Sequence, residues 1–468
     1  MFENRSLDTM LGWLYANGDM PGTVLPAGSA PAFDGLKPDM SNPSSSGASV
    51  SVSTTTVNSR IPDPDPQETF DNVTAQILGP QNVSTAALLP MQGFVLNYQT
   101  TATQDPSQVL QCHSTGQLPV LSALARAYAV SDAWFASVPS QTWPNRAFAH
   151  AGTSNGHVDN SRVVPGTDAR GLPDPFEWNV RTIFSVLDAV GSPWAVYHDT
   201  TLIPPLTRTM FPSLWDASLS SRFKSLSDFI GDCASGTLPA YSFVEPSFLI
   251  EPNDQHPPHD VAAGEQFLYK IWKAVSTSPA WNDTLLLITF DEHGGTFDHV
   301  LPPANAVAPD AASNPGDNAF CFDRFGVRVP AVLVSPYIAP GTVFRSPTTI
   351  PYDHTSILAT LRDWLAIPST QMLTSARVAQ APTLAQVLTL AAPRADVPEI
   401  EAPSTVYFHT SLDEPLNDVQ RSLVAGNAHR FGRDLTAVGA AITTRAHAVD
   451  FFNGIAQLTD KGPIASTK

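Results

Sequence analysis

Apolar residues in the middle of the chain fall into short, β-branched runs that alternate with longer stretches of helical spacing. The runs cover residues 194–197, 241–244, 284–290 and 329–334, and the helical stretches include residues 118–129, 265–275 and 355–365. Short buried strands between helices are typical of a mostly parallel sheet that is covered on both faces. The pattern therefore predicts an α/β fold with a doubly wound, mostly parallel sheet.

The two ends of the chain follow other patterns. Residues 21–66 are rich in Pro, Ser, Gly and Thr without periodicity, which predicts an extended surface loop. Residues 422–458 are Ala-rich, with apolar residues at helical spacing. We expect a main domain over residues 1–398 that contains the loop-rich segment 21–66, and a helical C-terminal extension over residues 399–468.

The chain is acidic, and this limits its partners. A formal net charge of −18 argues against nucleic acid, because phosphate backbones require clustered Lys and Arg. An anionic substrate would need local positive charge, from a metal ion or a helix N-terminus. The apolar runs are too short for a transmembrane segment. Residues 1–8 lack the basic and apolar regions of a signal peptide, so we expect the chain as written in the cytoplasm, and exported if translation starts upstream.

The densest chemistry lies in residues 291–300, directly after the apolar run 284–290. This decapeptide contains three carboxylates and two imidazoles around the pair Gly294 and Gly295. In α/β sheets, ligands bind beyond the carboxyl ends of the strands, and adjacent glycines allow close backbone approach. We therefore predict a metal site here.

A second candidate is Thr142, two residues before Pro144. Proline is favoured at the start of a helix, so Thr142 is expected near a helix N-terminus. Backbone N–H groups and the positive end of the helix dipole there favour an alkoxide and a phosphate. The alternative is that Thr142 is a helix N-cap and nothing more.

Several separated motifs occur in the order found in a known family. They are Glu3-Asn4-Arg5-Ser6-Leu7-Asp8, Thr142-Trp143-Pro144-Asn145-Arg146, Glu245-Pro246, His256-Pro257-Pro258, the decapeptide 291–300, Gly326-Val327-Arg328-Val329-Pro330 and Ser335-Pro336. The chain over residues 1–368 resembles the bacterial and plant phosphoesterase family that contains non-haemolytic phospholipase C and a bacterial acid phosphatase. The resemblance implies the fold of the alkaline phosphatase superfamily, with the site at the strand ends.

The resemblance also implies roles for the motif residues. Thr142 matches the nucleophile that accepts the phosphoryl group, and Glu3, Asn4, Asp291 and Glu292 match the positions that hold a metal together with the nucleophile's oxygen. An all-oxygen set suits a divalent cation such as Mg²⁺, Ca²⁺ or Mn²⁺, with Zn²⁺ as a further alternative. Such a cation would lower the pKa of the Thr142 hydroxyl and neutralise charge on the phosphoryl oxygens.

Histidine and arginine side chains complete the predicted site. His256 is the first candidate to contact the phosphoryl group, while His299 and His354 act in catalysis or brace the site. Asn145 and Arg146 are predicted to bind substrate. Arg146 pairs either with phosphate as a fork or with a carboxylate.

Two departures from the family pattern stand out. Glu68 takes the place of a histidine that faces the phosphate, and a carboxylate there would repel a phosphate dianion unless protonated or metal-bound. Only Met1 and Phe2 precede Glu3, where the family has an apolar strand. We therefore expect a poorly anchored Glu3, with weak metal affinity and low activity that an upstream strand would raise.

The resemblance predicts a metal-dependent, phospholipase C-like phosphoesterase that works through a phosphothreonine at Thr142. Its substrate would be a phospholipid or a soluble phosphate ester, with any membrane contact peripheral. One alternative is an acid phosphatase that acts on phosphomonoesters. Another is a degenerate family member that binds phosphate esters without turnover, for which Glu68 and the short start of the chain are the arguments.

Overall fold

The computed structural model describes residues 1–54, 58–79, 89–162, 174–175, 178–200, 202–404 and 411–459. In this part of the chain the strands are β1 (Thr23–Leu25), β2 (Ser41–Pro43), β3 (Ser49–Ser51), β4 (Ala129–Ser131), β5 (Ser161–Arg162), β6 (Asp174–Pro175), β7 (Trp194–His198), β8 (Phe223–Ser225), β9 (Tyr241–Glu245), β10 (Leu286–Thr289), β11 (Ala331–Val334) and β12 (Thr342–Phe344). The α-helices are α1 (Leu7–Leu11), α2 (Phe70–Leu78), α3 (Phe94–Tyr98), α4 (Pro119–Ala127), α5 (Thr142–Ala151), α6 (Ile183–Ala189), α7 (Leu206–Met210), α8 (Leu226–Ser235), α9 (Val261–Ser276), α10 (Thr355–Trp364), α11 (Ala376–Gln380), α12 (Asp418–Arg430), α13 (Leu435–Ala441) and α14 (Arg445–Thr459).

Two sheets form the frame of the molecule. The larger has the order β1-β12-β4-β11-β10, and the smaller has the order β8-β7-β9. All pairs are parallel except those of β11, which runs antiparallel to both β4 and β10. The four apolar runs of the sequence form β7, β9, β10 and β11, so the predicted α/β fold with a parallel-rich sheet is confirmed.

The start of the chain joins the two sheets. The Met1 amino group donates to the Val244 carbonyl of β9 at 3.1 Å, and the Phe2 N–H donates to the Thr289 carbonyl of β10 at 2.9 Å. Glu3 is fully buried, and its N–H donates to the Asp254 carbonyl at 3.0 Å. The expected poor anchoring of Glu3 is therefore wrong, because hydrogen bonds to both sheets and burial hold the first residues in place.

The predicted loop over residues 21–66 is only partly correct. Its described residues include β1, which pairs with β12 at the edge of the larger sheet, and the antiparallel pair of β2 and β3. Each of these strands has three residues. Such short strands depend on a partner strand for their conformation and leave no periodic signal in the sequence.

The predicted helical stretch over residues 422–458 is confirmed, because helices α12, α13 and α14 cover most of it. The described residues 399–404 and 411–417 of the predicted extension contain no helix. Leu423 and Val424 of α12 lie in one hydrophobic cluster with Trp143 of α5 and Leu358 of α10. The extension and the main domain therefore share a core. No helix within the described ranges is long and apolar enough to cross a bilayer.

Candidate active site

The candidate site forms where the start of the chain meets the end of β10. The Asn4 N–H donates to Asp291 Oδ1 at 3.0 Å, and the Arg5 N–H donates to the Glu292 carbonyl at 3.0 Å. Gly294 has a φ of +60°, and a Cβ built on it would lie 2.2 Å from the Asn4 carbonyl oxygen. Close backbone approach at this glycine is thus confirmed, and what approaches is the chain's own Asn4.

Thr142 is the first residue of α5, with Gln141 as the N-cap. The Thr142 side chain is fully buried. Its Oγ1 donates to Glu3 Oε2 at 3.1 Å and lies 3.3 Å from Asn4 Oδ1. The predicted position at a helix N-terminus is confirmed, and the N-cap alternative for Thr142 is excluded because Gln141 occupies that position.

The structure joins four members of the predicted metal-binding set by hydrogen bonds or short contacts, namely Glu3, Asn4, Thr142 and Asp291, and Glu292 follows Asp291 in the chain. All five residues of the set are fully buried. Burial raises the pKa of Glu3 well above its usual range, with Asp291 adding to the effect and Arg146 opposing it. Burial and the neighbouring Asp291 likewise raise the pKa of Glu292. The set therefore carries more negative charge than its surroundings compensate.

Arg146 supplies the positive charge within this set. Its Nε donates to Glu3 Oε1 at 2.8 Å, and its Nη2 donates to the same oxygen. The guanidinium also lies 3.8 Å from Glu245 and 3.9 Å from Asp291. Of the two predicted roles for Arg146, the contacts therefore favour pairing with carboxylates over a fork on phosphate.

The donor atoms fit a divalent cation. Asp291 Oδ2 and Glu292 Oε1 are buried and have no hydrogen-bond partner. Leaving a buried carboxylate oxygen without a partner costs several kcal/mol, and a cation bound by the two carboxylates would remove that cost. When bound, it would supply positive charge to the Thr142 oxygen and to the phosphoryl oxygens.

His256 is buried beside this set, but its contacts were not predicted. Its Nε2 lies 2.8 Å from Asp418 Oδ1 of α12, and its Nδ1 lies 2.7 Å from the Pro257 carbonyl oxygen. Burial lowers the pKa of His256, but Asp65 and Asp418 outweigh that effect and hold it well above its usual range.

Glu68 lies with His256 and two further carboxylates. The ligand atoms of Asp65, Glu68, His256 and Asp418 are all within 4.8 Å of one another. Burial raises the pKa of Glu68 well above its usual range, and Asp418, Asp65 and Glu292 add to it. Burial raises the pKa of Asp65 to about 8. These shifts favour the protonated form of Glu68, which is one of the two conditions under which it would not repel a phosphate dianion.

His354 braces a member of the metal-binding set. The Trp134 indole N–H can only donate, so His354 Nδ1 accepts from it at 3.4 Å. His354 Nε2 therefore carries a proton and donates to the Asp291 carbonyl at 2.6 Å. Of the two predicted roles, these contacts favour bracing.

His299 belongs to a neighbouring ionic network. Its Nδ1 lies 2.6 Å from Asp8 Oδ2, and its Nε2 lies 3.2 Å from Asp34 Oδ1. Arg328 joins the network by donating to Asp8 and to Asp298. These contacts also favour a bracing role for His299.

Asn145 differs from its predicted role in substrate binding. Its Oδ1 accepts from the Val138 N–H at 3.0 Å, and its Nδ2 donates to the carbonyls of Val138, Ser140 and Gln141. All these hydrogen bonds are made to the backbone of the loop before α5. Asn145 therefore positions Thr142 through the backbone and has no free group for a substrate.

Sequence reasoning missed Asp418 and Asp65 as site residues. Asp418 is the first residue of α12, four residues before the predicted helical stretch, and an acidic residue at a helix start is common for electrostatic reasons alone. Its contact with His256 spans 162 positions and leaves no local signal. Asp65 lies three residues before Glu68, within the segment already noted for its departure from the family pattern.

A threonine hydroxyl at a helix N-terminus, within a buried carboxylate set, suits the binding and transfer of a phosphoryl group. A sequence model described as the Phosphoesterase family matches residues 1–368, and the chain belongs to this family.

Curated relatives agree with this assignment. The chain is 35% identical over 447 residues to non-specific phospholipase C3 of Arabidopsis thaliana, an alignment that covers 91% of this chain and 80% of that protein. Non-specific phospholipase C1 of the same plant is 35% identical over 411 residues, with 85% and 72% covered. Phospholipase C B of Mycobacterium tuberculosis is 28% identical over 276 residues, with 54% and 51% covered.

Solved structures align less closely. A Vibrio parahaemolyticus protein in the alkaline phosphatase superfamily has a TM-score of 0.31 at 12% identity, covering 57% of this chain and 64% of that chain. The phosphonate monoester hydrolase of Agrobacterium radiobacter has a TM-score of 0.30 at 15% identity, covering 58% and 72%.

Proposed function

We propose that this chain is a metal-dependent phosphoesterase of the phospholipase C type, which cleaves phosphate esters through a phosphothreonine at Thr142. The observation that carries the proposal is the buried Thr142 hydroxyl at the start of α5, within hydrogen-bond distance of both Glu3 and Asn4. A threonine hydroxyl is a weak nucleophile and requires activation by a neighbouring group.

Three residues, Glu3, Arg146 and Thr142, have separate roles in the proposed reaction. Glu3 Oε2 accepts the hydrogen bond from Thr142 Oγ1 and so orients the nucleophile, while Arg146 holds Glu3 in place. Thr142 Oγ1 gives its proton to Glu3 Oε2 and forms the new bond to phosphorus, while the bond between phosphorus and the ester oxygen breaks and that oxygen leaves as an alcohol with a proton from solvent. Water then hydrolyses the phosphothreonine and restores the hydroxyl. The N-terminus of α5 stabilises negative charge on the phosphoryl oxygens throughout.

The names of the relatives favour a phospholipid as substrate. Two chromogenic substrates distinguish this substrate class from the alternatives. One is the phosphomonoester p-nitrophenyl phosphate, and the other is the phosphodiester p-nitrophenyl phosphocholine. Hydrolysis of the phosphocholine ester, with Thr142→Ala as the blank, supports the phospholipase C type. Hydrolysis of p-nitrophenyl phosphate alone would assign an acid phosphatase, and hydrolysis of neither would assign a binding protein.

Metal dependence has a separate test in Asp291→Asn. This change removes a charged ligand but keeps the size of the side chain, so metal affinity and turnover should fall together. The matched measurement is wild-type protein that has been stripped by a chelator and then reloaded. Full turnover by the stripped wild type would contradict metal dependence.

A further inference from the structure

A second group of ligand atoms lies beside the set around Thr142. Asp65, Glu68, His256 and Asp418 offer three carboxylates and one imidazole, with all four ligand atoms within 4.8 Å of one another. Metal–ligand distances of about 2.0–2.5 Å place ligand atoms no further apart than this around one ion. The spacing therefore suits a single metal ion.

Unpaired oxygens in this group point to a bound cation. Glu68 is only 3% exposed, and its Oε2 is buried without a hydrogen-bond partner. Asp65 Oδ1 is buried in the same way. Arg5, the nearby guanidinium, donates instead to the carbonyls of Ile61 and Gln255. A cation bound between these oxygens would give both of them a partner.

His256 Nε2 faces the carboxylates of the group. A carbonyl oxygen can only accept, so the contact with Pro257 places a proton on Nδ1. Nε2 lies 2.8 Å from Asp418 Oδ1, so without a cation it also carries a proton and donates to that carboxylate, and a bound cation would take the place of this second proton. A backbone carbonyl that fixes the far nitrogen in this way is the usual support of a metal-binding histidine.

Asp418 is held by residues next to the nucleophile. Its Oδ2 accepts from Gln141 Nε2 at 3.2 Å and from Asn160 Nδ2 at 3.3 Å. Gln141 directly precedes Thr142 and caps α5. These two amides occupy Oδ2 and leave Oδ1 directed at His256. Helix α12 of the C-terminal extension thus contributes one carboxylate to the group.

We propose that Asp65, Glu68, His256 and Asp418 bind a second divalent cation, separate from the one that Glu3, Asn4, Thr142, Asp291 and Glu292 would hold. The mixed imidazole and carboxylate donors suit Zn²⁺ or Mn²⁺. The placing of this cation beside a phosphoryl group rests on the proposed function, but its binding does not. Glu68 then attracts a cation instead of repelling the substrate, and the C-terminal extension becomes part of the active centre.

Metal stoichiometry tests the proposal without any need for turnover. The full chain is stripped by a chelator, reloaded with Zn²⁺ or Mn²⁺, and measured by elemental analysis and titration calorimetry. We expect two ions in the wild type and one in Glu68→Gln and Asp418→Asn. In Asp291→Asn the ion held by the other set should be lost, and in Asp291→Asn/Asp418→Asn both should be lost.

The control is Asp413→Asn, an exposed carboxylate of the same extension, which should keep two ions. Each change keeps the size of the side chain, so all these proteins should fold in chelator, and a cooperative thermal unfolding transition checks this. The proposal would be overturned if the wild type bound only one ion. It would also be overturned if Glu68→Gln and Asp418→Asn each still bound two ions. Failure of the proposed function would appear separately, as turnover by Thr142→Ala.

Discussion

Arg146 is the residue on which the carboxylates of the site depend. Its guanidinium is fully buried and contacts Glu3, Glu245 and Asp291. Removing one partner of a buried ion pair leaves an uncompensated charge. The stability of the site and its ability to hold Thr142 therefore both depend on Arg146.

Arg146→Ala should lower the free energy of unfolding by about 3–5 kcal/mol, because Glu3 would remain buried without its partner. Urea unfolding of the metal-free protein measures this loss. A fork on phosphate would produce another pattern, with a raised KM and unchanged stability. That pattern would contradict the assignment of Arg146 to the carboxylates.

His299 gives the protein a pH dependence. Burial lowers its pKa, but Asp34 and Asp8 outweigh burial and raise it to about 9, above the value of about 6.5 in the unfolded chain. The protonated form is therefore favoured by folding. The stabilisation is present in full below about pH 6.5 and is lost as the pH rises through about 9.

The comparison for this residue is His299→Gln against wild type, by urea unfolding at pH 6 and at pH 9.5. The wild type should be the more stable protein at pH 6, and the difference should shrink at the higher pH. A difference that does not change with pH would show that His299 contributes by packing alone.

At the scale of elements, helix α12 approaches α5 and α7 closely at Gly426. A Cβ built there would lie 2.8 Å from Trp143 Cη2 and 2.8 Å from Thr209 Cγ2. Both contacts are shorter than real Cβ atoms show, so either these side chains or a helix would have to shift. The glycine thus permits the close packing of α12, the helix that carries Asp418, against Trp143 and Thr209.

Gly426→Ala should lower the free energy of unfolding by about 1–3 kcal/mol through overpacking. Gly454→Ala in α14 is the matched control, because a Cβ there has no neighbour within 4 Å. The control should instead gain about 0.5–1 kcal/mol from helix propensity. If both substitutions raised the free energy of unfolding by the same amount, α12 would not pack on Trp143 as described.

The elements also show what the sequence could predict. The runs that form β7, β9, β10 and β11 are short and mostly apolar, with β-branched and aromatic residues, so their strand conformation could be predicted from the local sequence. The strand β1 lies in a segment rich in Pro and Gly and owes its conformation to β12. Pairing of that kind is a tertiary effect, which no local pattern records.

At the scale of the whole molecule, the fold joins residues that are far apart in the chain. Thr142 contacts Glu3 across 139 positions, and Asn4 contacts Asp291 across 287 positions. These residues were predictable because each lies in a dense local motif. Asp418 was not, because a single carboxylate at a helix start has many ordinary explanations. Residue type also left the hydrogen-bond partners of Asn145 and Arg146 open, because both side chains donate equally well to protein and to substrate oxygens.

The most direct test of the central claim is to trap the phosphothreonine. Wild-type protein is quenched in acid during turnover of its fastest chromogenic ester, digested, and analysed by mass spectrometry. The account predicts a phosphoryl adduct on the peptide that contains Thr142. Thr142→Ala should show no adduct and no turnover while it keeps its fold, and Thr142→Ser should retain part of both. Turnover by Thr142→Ala at the wild-type rate, or an adduct on another residue, would contradict the account.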